Sequence, residues 1–168
     1  PAGRVVYNNR TIAWTFGLYP GDDWPAKHRQ VSRALNGKRL RITLDEDPGY
    51  YYDGRLAVKE YVRDQTLRQI TVEATCAPYM FKQLETVRTE TLSTTERSII
   101  LTNECKPAIP QITVTAPTVI GFKGGSISLN AGTHRSLDIE LMEGVNTLTA
   151  RTTSGSGTIT IKYQEGAL

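Results

Sequence analysis

At 168 residues and 18.6 kDa the chain has room for one domain or two small ones, and about 70% of its unfolded surface is buried on folding, so no metal or disulfide framework is needed to hold a core. Hydrophobic residues at 39% and charged residues at 22% are ordinary for a globular protein and exclude intrinsic disorder. The net charge of +3 lies in the first half: residues 1–83 carry thirteen Lys/Arg and nine Asp/Glu, residues 84–168 seven and eight. The basic residues interleave with acids, as in Lys38, Arg39 and Arg41 beside Asp45-Glu46-Asp47. Phosphate binding favours a single-sign stripe, so the distribution argues against a nucleic-acid partner.

The longest apolar runs, such as Val119-Ile120-Gly121-Phe122, are a handful of residues, where a spanning helix needs about 20. The expectation is a soluble chain with no membrane partner. Cys76 and Cys105 lack the close spacing of metal or redox pairs and fit a reducing compartment. No secretory leader opens the chain, and Pro1 fits either loss of an initiator Met or a truncation.

In chain order, Ile12, Trp14, Phe16 and Leu18 alternate with smaller residues and predict a strand. Asp23 stands at an N-cap position, Pro25 suits a first helical turn, and Asn36-Gly37 supplies a stop. Between them Trp24, His28, Val31 and Leu35 share one face of a helix over about 24–35, the one convincing helix of the chain. Leu40, Ile42 and Leu44 predict the next strand, Asp47-Pro48-Gly49 a turn, and Tyr50-Tyr51-Tyr52 with Leu56 and Val58 a further strand. Arg63-Asp64-Gln65 reads as a turn, and Ile70, Val72, Ala74 and Cys76 as a strand with Thr71, Glu73 and Thr75 outward.

Composition shifts near residues 78–84: Thr numbers six before residue 84 and sixteen after it. Two domains are expected, 1–83 and 84–168. The second reads as strands alone, near 85–91, 98–102, 112–115, 119–122, 126–129, 137–141, 147–151 and 158–163, with Gly124-Gly125, Asn130-Ala131-Gly132, Glu143-Gly144-Val145-Asn146 and Gly155-Ser156-Gly157 as turns. The fold class is therefore mainly β, a sheet domain with one helix followed by a β-sandwich or jelly roll.

A search for chemistry ends without an active site. His28 sits on the apolar helix face, where packing is its natural role, and His134 lies in a polar turn and reads as solvated. Asp45-Glu46-Asp47 offers carboxylates for a hard cation but lacks the spaced ligands of a calcium loop, so it reads as a solvated turn. Gly121, Gly124 and Gly125 lack the Gly-Lys-Ser/Thr ending of a phosphate loop. No pair among Asp138, Glu140 and Glu143 has the context of a glycosidase acid and base. Adjacent rings of Tyr50, Tyr51 and Tyr52 face alternate sides of a strand, so one points away from the core beside Arg55, a composition found in protein interfaces. Those four residues are the candidate oligomer interface. No catalytic residue, metal or cofactor is expected.

Several segments together resemble a known family: Gly3-Arg4-Val5-Val6-Tyr7-Asn8-Asn9-Arg10-Thr11, Leu35-Asn36-Gly37-Lys38, Asp47-Pro48-Gly49-Tyr50-Tyr51-Tyr52-Asp53-Gly54-Arg55, Ala77-Pro78-Tyr79, Leu141-Met142-Glu143-Gly144-Val145-Asn146, Gly155-Ser156-Gly157-Thr158-Ile159 and the closing Tyr163-Gln164-Glu165-Gly166-Ala167-Leu168. They are similar to the distal tail proteins of long non-contractile-tailed bacteriophages and related prophages. The resemblance implies a belt domain (1–83) that forms a hexameric ring, and a galectin-like or carbohydrate-module-like sandwich (84–168). It implies a structural hub in the virion tail, assembled in the bacterial cytoplasm. The implied partners are further copies of the chain, the tail-tube protein, the tail-associated lysin or tape-measure end and, in some phages, receptor-binding proteins. Family members carry further strand before the Gly3–Thr11 region, which implies a truncation or a shortened belt. The rival reading is a carbohydrate-binding module that holds host glycan through the sandwich. That role needs an exposed aromatic platform, and Phe122 and Tyr163, the only aromatics of 84–168, read as core.

Overall fold

The computed structural model describes residues 6–17, 19, 21–59 and 69–168. The expectations for Leu18, Gly3-Arg4-Val5 and Arg63-Asp64-Gln65 lie outside them. The fold is mainly β, with one helix among the described residues. It divides into two compact units, Pro1–Met80 and Phe81–Leu168.

In the first unit the helix α1 runs Trp24–Leu35, where the sequence spacing predicts it. Asp23 caps it by accepting from the Ala26 N–H at 3.1 Å, and Gly37 leaves it with φ 77°, a conformation that glycine adopts without penalty. Four strands form an antiparallel sheet in the order β1 (Arg10–Gly17), β4 (Gln69–Cys76), β3 (Asp47–Val58), β2 (Arg39–Leu44). The apolar side of that sheet packs with Trp24, Val31 and Leu35 of the helix around Leu56, Ile70, Val72, Ala74 and Cys76.

The turn between β2 and β3 departs from expectation. Leu44 pairs with Asp47, so the reversal falls at Asp45-Glu46, and Pro48-Gly49 lies inside β3. The cause is register: a bulge between Ile42 and Leu44 shifts the pairing, and an exposed strand start tolerates Pro because it needs no N–H there. Tyr50–Tyr52 and Leu56–Val58 belong to one twelve-residue strand.

The second unit is built on two four-stranded antiparallel sheets, β10 (Gly125–Leu129), β9 (Thr118–Phe122), β12 (Gly144–Thr152), β7 (Arg97–Asn103), and β11 (Gly132–His134), β8 (Gln111–Val114), β13 (Gly157–Tyr163), β6 (Thr86–Leu92). Both sheets feed one core that includes Ile99, Ile120 and Leu148 from the first and Leu92, Ile112 and Ile159 from the second. Two short strands complete the list: β5 (Met80–Lys82), within which the division between the units falls, and β14 (Gly166–Ala167). The Lys82 N–H donates to the Glu165 carbonyl at 3.2 Å.

Threonine enrichment has a structural reason. Thr133, Thr113, Thr160 and Thr89 stand side by side across β11, β8, β13 and β6, and hydroxyls pair at 2.9 Å (Thr113 with Thr133) and 3.1 Å (Thr89 with Thr160). A β-branched residue with a hydroxyl suits the wet side of a sheet whose other side is core.

Two expectations for this unit are corrected. Residues 137–141 form no strand: Leu137 is exposed, while Ile139 and Leu141 are buried and Leu141 makes an isolated bridge to Ala108. The alternation there is an irregular segment tucking in every second side chain. Glu143-Gly144-Val145-Asn146 is not a turn, since β12 starts at Gly144. The buried Asn146 side chain takes the Met142 N–H at 2.9 Å and donates to the Met142 carbonyl at 2.7 Å, doing the work of a missing strand partner. The β9–β10 hairpin is a tight glycine turn as expected, with Lys123 and Gly124 at φ 47° and 83°, and Gly155, at φ 66°, lies in the connection between β12 and β13.

Leu148 is fully buried, so Leu148→Ala should lower the second unit's stability by about 2–5 kcal/mol, read by chemical denaturation. In the first unit a Cβ on Gly54 would meet Cys76 Sγ at 2.6 Å. Gly54→Ala should therefore cost about 1–3 kcal/mol, with partial recovery when Cys76→Ala is added.

Candidate functional site

The residues proposed for an interface lie on both sides of β3. Tyr52 packs against the first unit's core, while Tyr51 and Arg55 belong to the opposite side. Tyr51 is nonetheless buried, with the Arg41 guanidinium 4.6 Å from its ring centroid. Tyr50 is half-buried and Arg55 exposed. Of the four, Arg55 is the one whose side chain is open to solvent.

Around Arg55 lies a cavity of about 620 Å³ lined by Asn9, Asn36, Arg39, Asp53, Thr75 and Ala77 among others. Cross-strand register creates its charge pattern: Arg39 stands opposite Arg55 and Arg41 opposite Asp53. Like charges directly opposite repel, and Arg39 turns diagonally to Asp53, making a bidentate pair at 2.7 and 2.8 Å. Hydrogen bond and charge from Asp53 raise Arg39 above the ordinary guanidinium value. Arg55 donates to the Gly37 carbonyl at 3.3 Å. Cys76 also borders the cavity, but burial first and the Asp53 charge second push its thiol upward, so it stays a protonated, unreactive thiol. None of this clustering was visible as a motif; the two-residue spacing of Arg39, Arg41 and of Asp53, Arg55 on facing strands is the signal that marks it.

Three of the four helix-face residues contribute to the first unit's core, and His28 lies at its margin. Trp24 is buried, and Val31 and Leu35 pack against its cluster. His28 lies 6.5 Å from the Trp24 ring and donates from Nε2 to the Lys59 carbonyl at 3.3 Å. His134 is a correction: it sits half-buried in β11, and its Nε2 bonds the Asn130 carbonyl at 2.8 Å. Among the described residues no group of three His, Cys, Asp or Glu is placed to hold a metal ion.

In the second unit Phe122 and Tyr163 are both buried, and the Tyr163 hydroxyl donates to the Thr102 carbonyl at 2.5 Å. Neither offers a stacking platform to a sugar. Sequence reasoning missed the ionic cluster beside Tyr163. Glu165, 5% exposed, accepts Lys82 Nζ at 3.0 Å and the Thr86 hydroxyl, while Lys82 also reaches Glu104 at 3.1 Å. Burial lowers the Lys82 value, but hydrogen bonds and charge from Glu165 and Glu104 outweigh it and the net shift is upward. Burial, then the Glu165 charge, raise Tyr163 despite the opposing Lys82.

Both raised groups act in one direction. Their stabilising contribution is fully present below the ordinary Tyr and Lys values and is lost as pH rises through the raised ones. The second unit should lose stability as pH climbs past about 10, and thermal melts of Lys82→Met and Tyr163→Phe should each show a smaller alkaline loss. At neutral pH Lys82→Met should cost about 1–3 kcal/mol by leaving Glu165 buried without its cation.

No family model matches the sequence, and no curated protein matches it. Among solved structures the chain is similar to Dit (gp 19.1) of SPP1, described as a paradigm of the hub adsorption apparatus in phages infecting Gram-positive bacteria. The TM-score is 0.61 at 16% identity, over 97% of this chain and 81% of that one. A de novo designed double-stranded β-helix aligns with 48% of this chain and 99% of its own at a TM-score of 0.34 and 15% identity, too distant to argue from. At such identity the likeness is one of fold: the chain has the fold of SPP1 Dit.

Proposed function

We propose that the protein is a structural component of a phage tail, a hub that assembles as a hexameric ring through its first domain (1–83), joins the tail tube to the tail tip, and carries its sandwich (84–168) outward. The observation that supports this most is the shared fold over 97% of the chain with the SPP1 hub protein. The architecture of the first unit agrees with it. Among the described residues β1 pairs only with β4 and β2 only with β3, and a strand paired on one side can recruit a further strand. Tyr50, Tyr51, Tyr52 and Arg55 belong to the surface that assembly uses, with Tyr51 and Tyr52 shaping it from beneath and Arg55 touching the neighbour.

The partners on this reading are further copies of the chain, the tail-tube protein, the tail-associated lysin or tape-measure end, and receptor-binding proteins at the outer domain. It is a role of binding and geometry without catalysis. The rival reading, glycan capture by the sandwich, finds little support in residues 84–168, whose two aromatics, Phe122 and Tyr163, are in the core. Light scattering on the purified full chain should give about six times the 18.6 kDa chain mass, stable on dilution. A single-chain mass at every concentration would remove the ring from the account.

A further inference from the structure

The β2–β3 hairpin is electrically polar along its length. At its tip the turn residues Asp45 and Glu46 are exposed, Asp47 follows, and among the described residues none of the three forms an ion pair. At its base Arg39 pairs in register with Arg55 beside the cavity of about 620 Å³. Asp53 neutralises Arg39, which leaves Arg55 as the surplus cation, with one hydrogen bond to Gly37 out of the five N–H donors that a guanidinium carries. Lys38 adjoins the cavity in sequence, and between Asp23 and Asp45 the chain carries six Lys/Arg and no acid. Asp45 lies six residues along β2 from Arg39, about 20 Å of extended chain. Tip and cavity are therefore at opposite ends of one hairpin and beyond each other's reach within a copy.

We infer that the Asp45-Glu46 turn of one copy docks in the Arg55 cavity of a second copy. The occupant follows from complementarity: a convex turn with unpaired carboxylates and a concave, cation-bearing site are both present on the same chain. Carboxylate and guanidinium meet with two parallel hydrogen bonds when geometry permits, and Asn9, Asn36 and Thr75 border the same space with further polar groups. A contact between two different surfaces of identical copies is heterologous. It repeats from copy to copy and closes as a ring or runs on as a filament. The inference rests on the ring reading and supplies its residue-level contact.

The test uses the full chain and two charge reversals, Asp45→Lys with Glu46→Lys in one variant and Arg55→Glu in the other. Circular dichroism confirms that each folds. Each variant alone should stay at single-chain mass at concentrations where the unaltered chain assembles. An equimolar mixture should assemble again, because the reversed tip meets the reversed cavity and the two unaltered surfaces meet each other. The milder Asp45→Asn, Glu46→Gln variant should raise the assembly midpoint by about tenfold, the size of a 1.4 kcal/mol loss, and added salt should weaken assembly of the unaltered chain. Variants that assemble like the unaltered chain, or a mixture that stays dissociated, overturn the docking and leave the ring standing. An unaltered chain that never assembles overturns both.

Discussion

The first unit depends on a single close approach. Gly54 pairs with Leu40 of β2 on one side and with Cys76 of β4 on the other, and there is no space for a side chain, since a Cβ would sit 2.6 Å from Cys76 Sγ and 3.3 Å from Ile42 Cδ1. That packing holds three strands at one register. Because side chains alternate, the same register sends Tyr52, Leu56 and Val58 into the core under α1 and sends Asp53 and Arg55 to the opposite side. A slip of one residue would invert both faces, removing the Arg39–Asp53 pair and the cavity together. On the proposed reading the assembly surface is in this sense a by-product of core packing around a glycine.

The second unit solves a different problem. Two sheets bury a core of aliphatic side chains from alternate strand positions, and threonine covers the wet side of one of them, where hydroxyls satisfy one another across strands. Its polar anchor is the Lys82, Glu104 and Glu165 cluster, which ties β5 to the chain just before β14. A buried carboxylate with its cation and a hydroxyl donor stabilises little against an apolar alternative, but losing one member strands the other. Phe122 and Tyr163 are buried and Phe81 is half-buried under Lys106, so the outer surface consists of threonines, charged side chains and scattered aliphatics. Such a surface suits a protein contact better than ring stacking on a sugar.

What was legible in the sequence was what neighbouring residues decide. The helix was readable because cap, first-turn proline and the spacing of Trp24, His28, Val31 and Leu35 agree, and most strands because alternation lasts through four or more residues. The misreadings share a cause in pairing between distant segments. Pro48-Gly49 carries strong turn chemistry, yet the partner strand sets the reversal three residues earlier, at Asp45-Glu46. Residues 137–141 alternate like a strand but find only one bridge. Asn146 looks like a turn residue and is a buried plug. Arg39 with Asp53 and Lys82 with Glu165 lie 14 and 83 positions apart, so no local pattern announces them. For the tyrosines the sequence shows that adjacent rings take opposite sides of the strand, but not that Arg41 roofs the outward Tyr51 and leaves Arg55 as the solvent-facing member.

The proposed function, a repeating contact that builds a tail hub, draws together the fold, the one-sided pairing of β1 and β2 and the polar hairpin. On the proposed docking each first unit carries both halves of a contact and cannot join them within itself, which is the condition for assembly by rotation from copy to copy. The most direct test is electron microscopy of the negatively stained, purified full chain. The account predicts class averages with six-fold symmetry and an open centre. Fields of single small particles, or two-fold pairs with no central opening, would contradict it.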